Sequence, residues 1–360
     1  MVFFMADESS IGVNETPKIL VLGVGGAGCN SVNRMSQLGI SGTWGLVAVN
    51  TDKQQLSAIN DELIKVLIGK SVTQGVGTGG FVEKGARAAE ASKTALGKVL
   101  EGTSLLFLTA GMGGGTGTGA SPVIAEIAKQ QGAIVCSIVT FPFDLERSRT
   151  LKAEDGIVAL AEKSDAVIVI NNNRLVELVP NLPVNDAFKV VDELIAKTVK
   201  GISETITQPS LINLDFSDVR AALSNKGVSL LAVGEARSVS DRIGEVVQDT
   251  LNNTLLDVEV NDATGVLIHI TGGSDLTLGE AKSIGELLTQ RVSPEANVVW
   301  GARVSQEFEG KIEVIAIFAG IPSPFRGGRV ERETGRTSAG AGKYAVRGMD
   351  GKLKKGLIEI

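Results

Sequence analysis

Two carboxylates, Asp215 and Asp218, stand three residues apart in the stretch NLDFSDV, which Asn213 opens. If a helix begins there, both project the same way. The same stretch also reads as an exposed acidic turn in which Asp218 caps a helix. Other chemistry-bearing types are scarce. The one histidine, His269, lies inside an apolar run, and the two cysteines, Cys29 and Cys136, have no metal-ligand spacing. A usual zinc site is excluded. Cys29 has no nearby histidine or base and reads as a small packing residue, and His269 as a strand residue without chemistry.

Glycine-rich loops carry the stronger signal. GVGGAGCN, residues 23–30, contains G-x-G-x-x-G as Gly23, Gly25 and Gly28, and Asp52 follows 24 residues after Gly28 in VNTD. Read alone, this is a dinucleotide fingerprint that points to an NAD-dependent oxidoreductase. A carboxylate at Asp52 could bind a ribose hydroxyl or hold magnesium near phosphates. GVGTGG, residues 75–80, and GGGTGTG, residues 113–119, are two further loops of the same kind. Glycine lets backbone N–H groups approach phosphate oxygens, and a following helix adds its positive end. Thr116 and Thr118 could add hydroxyl donors. NAD needs one such loop, whereas three suit a triphosphate. Gly69-Lys70-Ser71 ends like a P-loop, but Ile64 stands where its first glycine belongs.

All four segments follow apolar runs that read as strands, at 19–22, 46–49, 64–68, 105–108, 134–139 and 167–170. These runs are continuous rather than alternating, as in parallel strands buried on both faces. Helical patterns such as 85–100 and 122–131 separate them, with Ser121-Pro122 as a cap and first-turn pair. This is the rhythm of a doubly wound α/β domain, whose ligands bind beyond the strands' carboxyl ends. Val184–Thr207 then repeats apolar residues every three or four positions, between Pro183 and Gln208-Pro209, and predicts one long helix. Strand patterns at 229–233, 266–271, 298–302 and 313–319, with helices at 241–252 and 278–290, predict a smaller α+β domain. The expected division is an extension at 1–17, an α/β domain at 18–183, the helix at 184–207, a second domain at 208–320 and a tail at 321–360.

The tail carries nine Lys/Arg against four Asp/Glu, in a chain of 360 residues with net charge −6. An acidic body argues against a nucleic-acid binder. Segment 325–343 lacks apolar periodicity and is expected to be disordered. The GLIEI end is either solvated or a docking peptide. No apolar run reaches membrane-spanning length and the start is not a signal peptide, so a cytoplasmic protein without direct membrane insertion is expected.

GGGTGTG is the signature of the tubulin/FtsZ superfamily, and GVGGAGCN, VNTD, PFDLE, NNNRL, AFKVVDE and NLDFSDV fall in that family's order. Over 18–320 the chain resembles the superfamily's prokaryotic cell-division GTPases and is similar to archaeal members. The resemblance implies binding of GTP or GDP with Mg2+, and head-to-tail self-assembly at the division site. It implies that Gly25, Gly26, Asn30 and Asn50 lie along the nucleotide, and that Asp52 sits near the phosphates and metal. Thr78, Gly79 and Gly80 would face the γ-phosphate. Gly113, Gly114, Gly115, Thr116, Gly117 and Thr118 would cradle the phosphates. Pro142, Glu146, Arg149 and Asn172 would surround the ribose. Glu146 and Arg149 are three apart, one fewer than in many members, and Gly80-Phe81 replaces a common Asn-Pro. Phe188 and Asp192 would read guanine, and their spacing of four puts them on one helix face. A ring can stack on the base, and a carboxylate can accept from its N1–H and 2-amino group. Asn213, Asp215 and Asp218 would enter the next subunit's pocket and orient the attacking water. The tail end would dock a membrane adaptor. A cell-shape filament of the same superfamily is the other reading of the same residues.

Overall fold

A computed structural model of the chain describes residues 17–325, apart from 41, 209, 213–214, 225–226, 238–240, 257 and 259, together with 356–359. Six strands form the first half: β1 (Ile19–Val24), β2 (Gly45–Asn50), β3 (Ile64–Leu67), β4 (Leu105–Gly111), β5 (Ile134–Phe141) and β6 (Ala166–Asn171). They pair in parallel in the order β3-β2-β1-β4-β5-β6. Every residue of β1 is buried. Leu20, Leu22 and Val24 enter the core on one face of the sheet, and Ile19 and Val21 the core on the other. The two-residue period of a strand produces that split, and it is why the apolar runs are unbroken.

The helices of this half are α1 (Gly25–Leu38), α2 (Lys53–Ala58), α3 (Lys70–Thr73), α4 (Val82–Ala91), α5 (Lys93–Leu100), α6 (Thr116–Gln130), α7 (Arg147–Lys163) and α8 (Asn172–Leu178). Two helix readings need correction. The pattern at 85–100 is two helices, broken at Ser92, whose hydroxyl accepts from the Gly69 N–H at 2.9 Å. α6 begins inside the glycine loop, so Pro122 is interior and Ser121 is no cap. The Ser121 hydroxyl instead donates to Gly117 O at 2.6 Å, one turn back.

The long helix α9 (Val184–Thr207) runs as its periodicity predicts. After it come α10 (Phe216–Leu223), β7 (Val228–Ala236), α11 (Arg242–Asn252), β8 (Gly265–Gly272), α12 (Leu278–Thr289), β9 (Asn297–Val304) and β10 (Ile312–Ile321). β10 is antiparallel to β7 and β8, and β8 is parallel to β9. One parallel pair, Ile168↔Ser229, joins β6 to β7 and makes the two halves one sheet. A last strand, β11 (Gly356–Glu359), pairs in parallel with the outer side of β3. The expectation of disorder at 325–343 falls outside the described residues except for Phe325, whose ring lies 5.1 Å from that of Phe141.

Candidate functional site

β1 lies between β2 and β4, so the chain leaves it in opposite directions and opens a crevice beyond the strands' carboxyl ends. All four glycine or Asn/Asp segments meet there. Gly25 has φ of 72°, and a Cβ on it would stand 2.8 Å from Gly117 N. The first and fourth loops therefore touch backbone to backbone. A Cβ on Gly115 would stand 2.1 Å from Thr78 Oγ1, which joins the third loop to the fourth. At their junction are three buried hydroxyls: Thr116 Oγ1 lies 2.7 Å from Thr51 Oγ1 and 3.4 Å from Thr78 Oγ1.

Around this junction each side chain has a definite task. Buried Asn50 accepts from Thr51 N at 2.8 Å and donates to Gln55 Oε1 at 2.9 Å. Asp52 Oδ1 caps α2 by accepting from Gln55 N at 3.1 Å, while Oδ2 lies on the Gly77 side. Lys152 Nζ donates to Gly80 O at 2.9 Å, so α7 pins the third loop. Thr118 Oγ1 accepts from Gly113 N at 2.9 Å and shapes the fourth loop from within. Around Gly114 no heavy atom would come within 4 Å of an added Cβ, so space opens at the loop's centre.

At the far side of the crevice, Phe188 is 40% exposed, with its ring 6.1 Å from that of Phe143. It is not a core aromatic. One turn along α9, Asp192 Oδ1 accepts from the Ser31 hydroxyl at 2.6 Å. Burial pushes the Asp192 carboxyl above its usual range, against the Ser31 hydrogen bond and the Arg34 charge. Asn172 is buried, and its Oδ1 has no hydrogen-bond partner among the described residues. An orphaned buried acceptor calls for a donor, and a ribose hydroxyl is one. Pro142 is buried, and it follows Phe141 as Asn172 follows Asn171, the pair that ends the β5–β6 ladder; Glu146 accepts from Phe143 N at 3.2 Å while pairing with Arg149 at 2.7 Å. Arg149 is largely exposed at the rim. Asn30 is exposed on α1, one turn past Gly26.

The acidic stretch is elsewhere. α9 rises about 22 Å from Asp192 to Thr207, and Asp215 and Asp218 follow beyond its far end, both exposed. Asp215, not Asp218, caps α10, accepting from Ser217 N at 3.4 Å. Asn213 lies outside the described residues. A cleft lined by Lys129, Asp165 and Arg220 lies at that same end, away from the glycine loops. One chain does not bring the acidic pair to the glycine loops.

Sequence reasoning missed Ser31, Gln55 and Lys152. Ser31 has a signal only if GVGGAGCN is read as the opening of a helix. Lys152 contacts a loop 72 residues away and has none. The two residues set aside as chemically inert, Cys29 and His269, are both buried. Burial pushes the Cys29 thiol up to about 12. His269 is buried between the hydroxyls of Thr205 at 2.6 Å and Thr271 at 2.9 Å. Among the described residues no cluster of three or more His, Cys, Asp or Glu could cage a metal.

The family model described as Tubulin/FtsZ family, GTPase domain, matches residues 18–180, and that described as FtsZ family, C-terminal domain, matches 227–322. Cell division protein FtsZ 2 of Methanocaldococcus jannaschii is 55% identical over 309 residues, 85% of this chain and 81% of that protein. Cell division protein FtsZ 1 of Pyrococcus furiosus is 48% identical over 309 residues, 86% and 82% of the two chains. Among solved structures, the empty FtsZ dimer from M. jannaschii matches with a TM-score of 0.79 and 42% identity, covering 84% of this chain and 88% of that one. The GTPγS-bound protofilament of CetZ2 from Haloferax volcanii matches with a TM-score of 0.73 at 24% identity, covering 88% and 95%, a likeness of fold alone.

Proposed function

The chain belongs to the tubulin/FtsZ family, and from that premise we propose how it works as the GTPase of a cell-division filament. The dinucleotide reading of Gly23, Gly25, Gly28 and Asp52 gives way, because those residues lie inside the match to the GTPase domain. The cell-shape reading is less favoured than division, since the relatives of high identity are cell-division proteins.

In our reading the GTP phosphates lie over Gly25, Gly26 and the loop from Gly113 to Thr118, in the space that opens at Gly114. Thr78, Gly79 and Gly80 face the γ-phosphate, with Lys152 fixing that loop from behind. Pro142, Glu146, Arg149 and Asn172 border the ribose, and the orphaned Asn172 acceptor supports that placement. Phe188 stacks on guanine and Asp192 accepts its N–H donors, while Asn30 and Asn50 line the approach. The residues present fit Mg2+ as that ion is usually held, by one carboxylate, the phosphates and waters rather than a protein cage. Asp52 would be that carboxylate, and the ion would neutralise phosphate charge.

The observation that carries the mechanism is the separation along α9. Base-side residues stand at one end and the exposed acidic pair beyond the other. Subunits stacked head to tail would bring the Asn213, Asp215 and Asp218 of one copy over the glycine loops of the next. A contact of that kind that does not close generates an open filament. The incoming carboxylates would orient the attacking water and accept its proton, while the pocket holds the phosphates in place. The division into 18–183, the helix and 208–320 then follows function, with one part binding and the other completing. We place the filament in the cytoplasm at the division site. No described helix is long and apolar enough to cross a membrane, and the GLIEI segment would recruit a membrane adaptor.

Light scattering and phosphate release, followed across a protein concentration series with GTP, test this. Release per subunit should rise with concentration. Asp215→Ala should bind GTP and assemble, but hydrolyse ~100-fold more slowly, the lower range for loss of a positioned proton acceptor. Hydrolysis per subunit independent of concentration would show a site complete within one chain and overturn the shared mechanism.

A further inference from the structure

The free edge of the nucleotide-binding sheet is not left open. β11 lies along β3 with Gly356 opposite Ile64, Leu357 opposite Lys65, Ile358 opposite Val66 and Glu359 opposite Leu67. Without it, β3 would end the sheet. An edge strand presents unpaired N–H and C=O groups that template another strand, and proteins usually blunt it with proline or an outward lysine. β3 has no proline; its guards are its short length and one inward-turned charge, and neither covers its outer N–H and C=O groups. Its sequence is IKVL, and Lys65 is buried, its ammonium donating to Ile59 O at 2.8 Å and to the Asp61 carboxylate at 2.7 Å.

We propose that the outer edge of β3 is a binding site for an extended apolar peptide, and that Gly356–Glu359 of the same chain is its resident ligand. Strand addition of this kind draws its affinity from main-chain hydrogen bonds and its register from alternate side chains. The parallel sense matches β2 on the other side of β3, so the added strand continues the ladder already there. Chain length permits the return. Seven inter-strand steps separate β10 from β3, about 34 Å at the usual spacing. The residues between 325 and 356 could span up to ~100 Å. Tethering makes the contact intramolecular, so a four-residue strand that would bind weakly as a free peptide still occupies the edge. Any partner that recognises GLIEI must first draw it off β3, and leaving β3 exposes a second sticky surface on the flank of the subunit. The proposal does not depend on the shared hydrolytic site or on the identity of an adaptor.

Amide hydrogen exchange of the full chain in GDP, read by mass spectrometry over 64–67 and 356–359, is the test. Both segments should be protected. Deleting 356–360, or making Leu357→Pro with Ile358→Pro, which removes two successive N–H groups, one of which faces β3, should speed exchange at 64–67 by ~10-fold or more, as expected where local opening is no longer opposed. GTP binding should be unchanged in both variants, showing an intact body. A synthetic peptide of residues 352–360 should restore protection to the deletion variant, and the same peptide with proline at both 357 and 358 should not. Unchanged exchange at 64–67 on deletion overturns the proposal. Protection that disappears on 20-fold dilution (about that factor suffices to separate tethered from free binding) places the tail on a second copy and overturns the assignment to the same chain.

Discussion

In the proposed function, Asp192 would set the base preference with one carboxylate. The Ser31 hydroxyl holds one oxygen at 2.6 Å, and burial raises the carboxyl's pKa, so the group gains from the two donors of guanine's N1–H and 2-amino edge. Asp192→Asn replaces an acceptor with an amide that presents a donor to one of them. Hydrogen bonds to charged groups contribute about 1.5–3 kcal/mol, so GTP affinity should fall ~10- to 100-fold by calorimetric titration, with the melting temperature little changed. The pair Phe188 and Asp192 is legible in the sequence because α9 declares itself through its period, and a spacing of four fixes a shared face. Ser31 is not, because α1 opens with a glycine run that looks like a loop. The hydroxyl cluster of Thr51, Thr78 and Thr116 is likewise hidden, since its members come together from three loops whose contacts no local pattern encodes.

The long helix is held to the second half by polar contacts as well as apolar ones. Arg303 contacts Glu204 and, at 2.7 Å, Gln208, and Lys197 pairs with Glu313 at 2.6 Å. His269 bridges Thr205 on α9 and Thr271 on β8. Burial lowers its pKa to about 4 from 6.5, with the Arg303 charge adding to the effect. The unfolded chain therefore binds a proton before the native one does. Stability from this group is complete above pH ~6.5 and is lost as pH falls towards 4, by about 3 kcal/mol at 1.36 kcal/mol per unit. Urea midpoints measured between pH 7 and 4 should show a steeper loss for wild type than for His269→Gln, whose amide can serve both hydroxyls without titrating. Parallel slopes would remove His269 as the cause. The sequence shows α9 and the strands clearly because their periods are long or unbroken. It hides the break at Ser92 and the early start of α6, because a hydrogen bond from Gly69, 23 residues back, decides the first and glycine masks the second.

Seen whole, the subunit exposes Val76, Phe81, Leu145 and Leu151 around the mouth of the nucleotide crevice. Exposed apolar side chains rimming one site mark a contact surface, and burying a Val or Phe contributes about 1.5–3 kcal/mol. Val76→Glu with Phe81→Glu should raise the critical concentration for assembly by at least ~10-fold, while the unassembled subunit binds GTP within about twofold of wild type. Sedimentation with nucleotide-binding controls separates the two. At this scale the sequence announces a doubly wound α/β domain and a smaller α+β domain. It does not announce that Ile168 and Ser229 join their sheets, nor that β11 returns to β3, because both pairings bring together residues far apart along the chain. If the acidic pair acts on the next subunit as proposed, a filament of n subunits would enclose n − 1 complete sites, and one terminal pocket would lack its neighbour's carboxylates. That pocket would stay open to solvent for exchange of GDP for GTP, while the interior pockets would be covered by the next subunit. Turnover would then belong to the filament's length and exchange to its end, and the nucleotide carried at the end would report how recently the last subunit arrived.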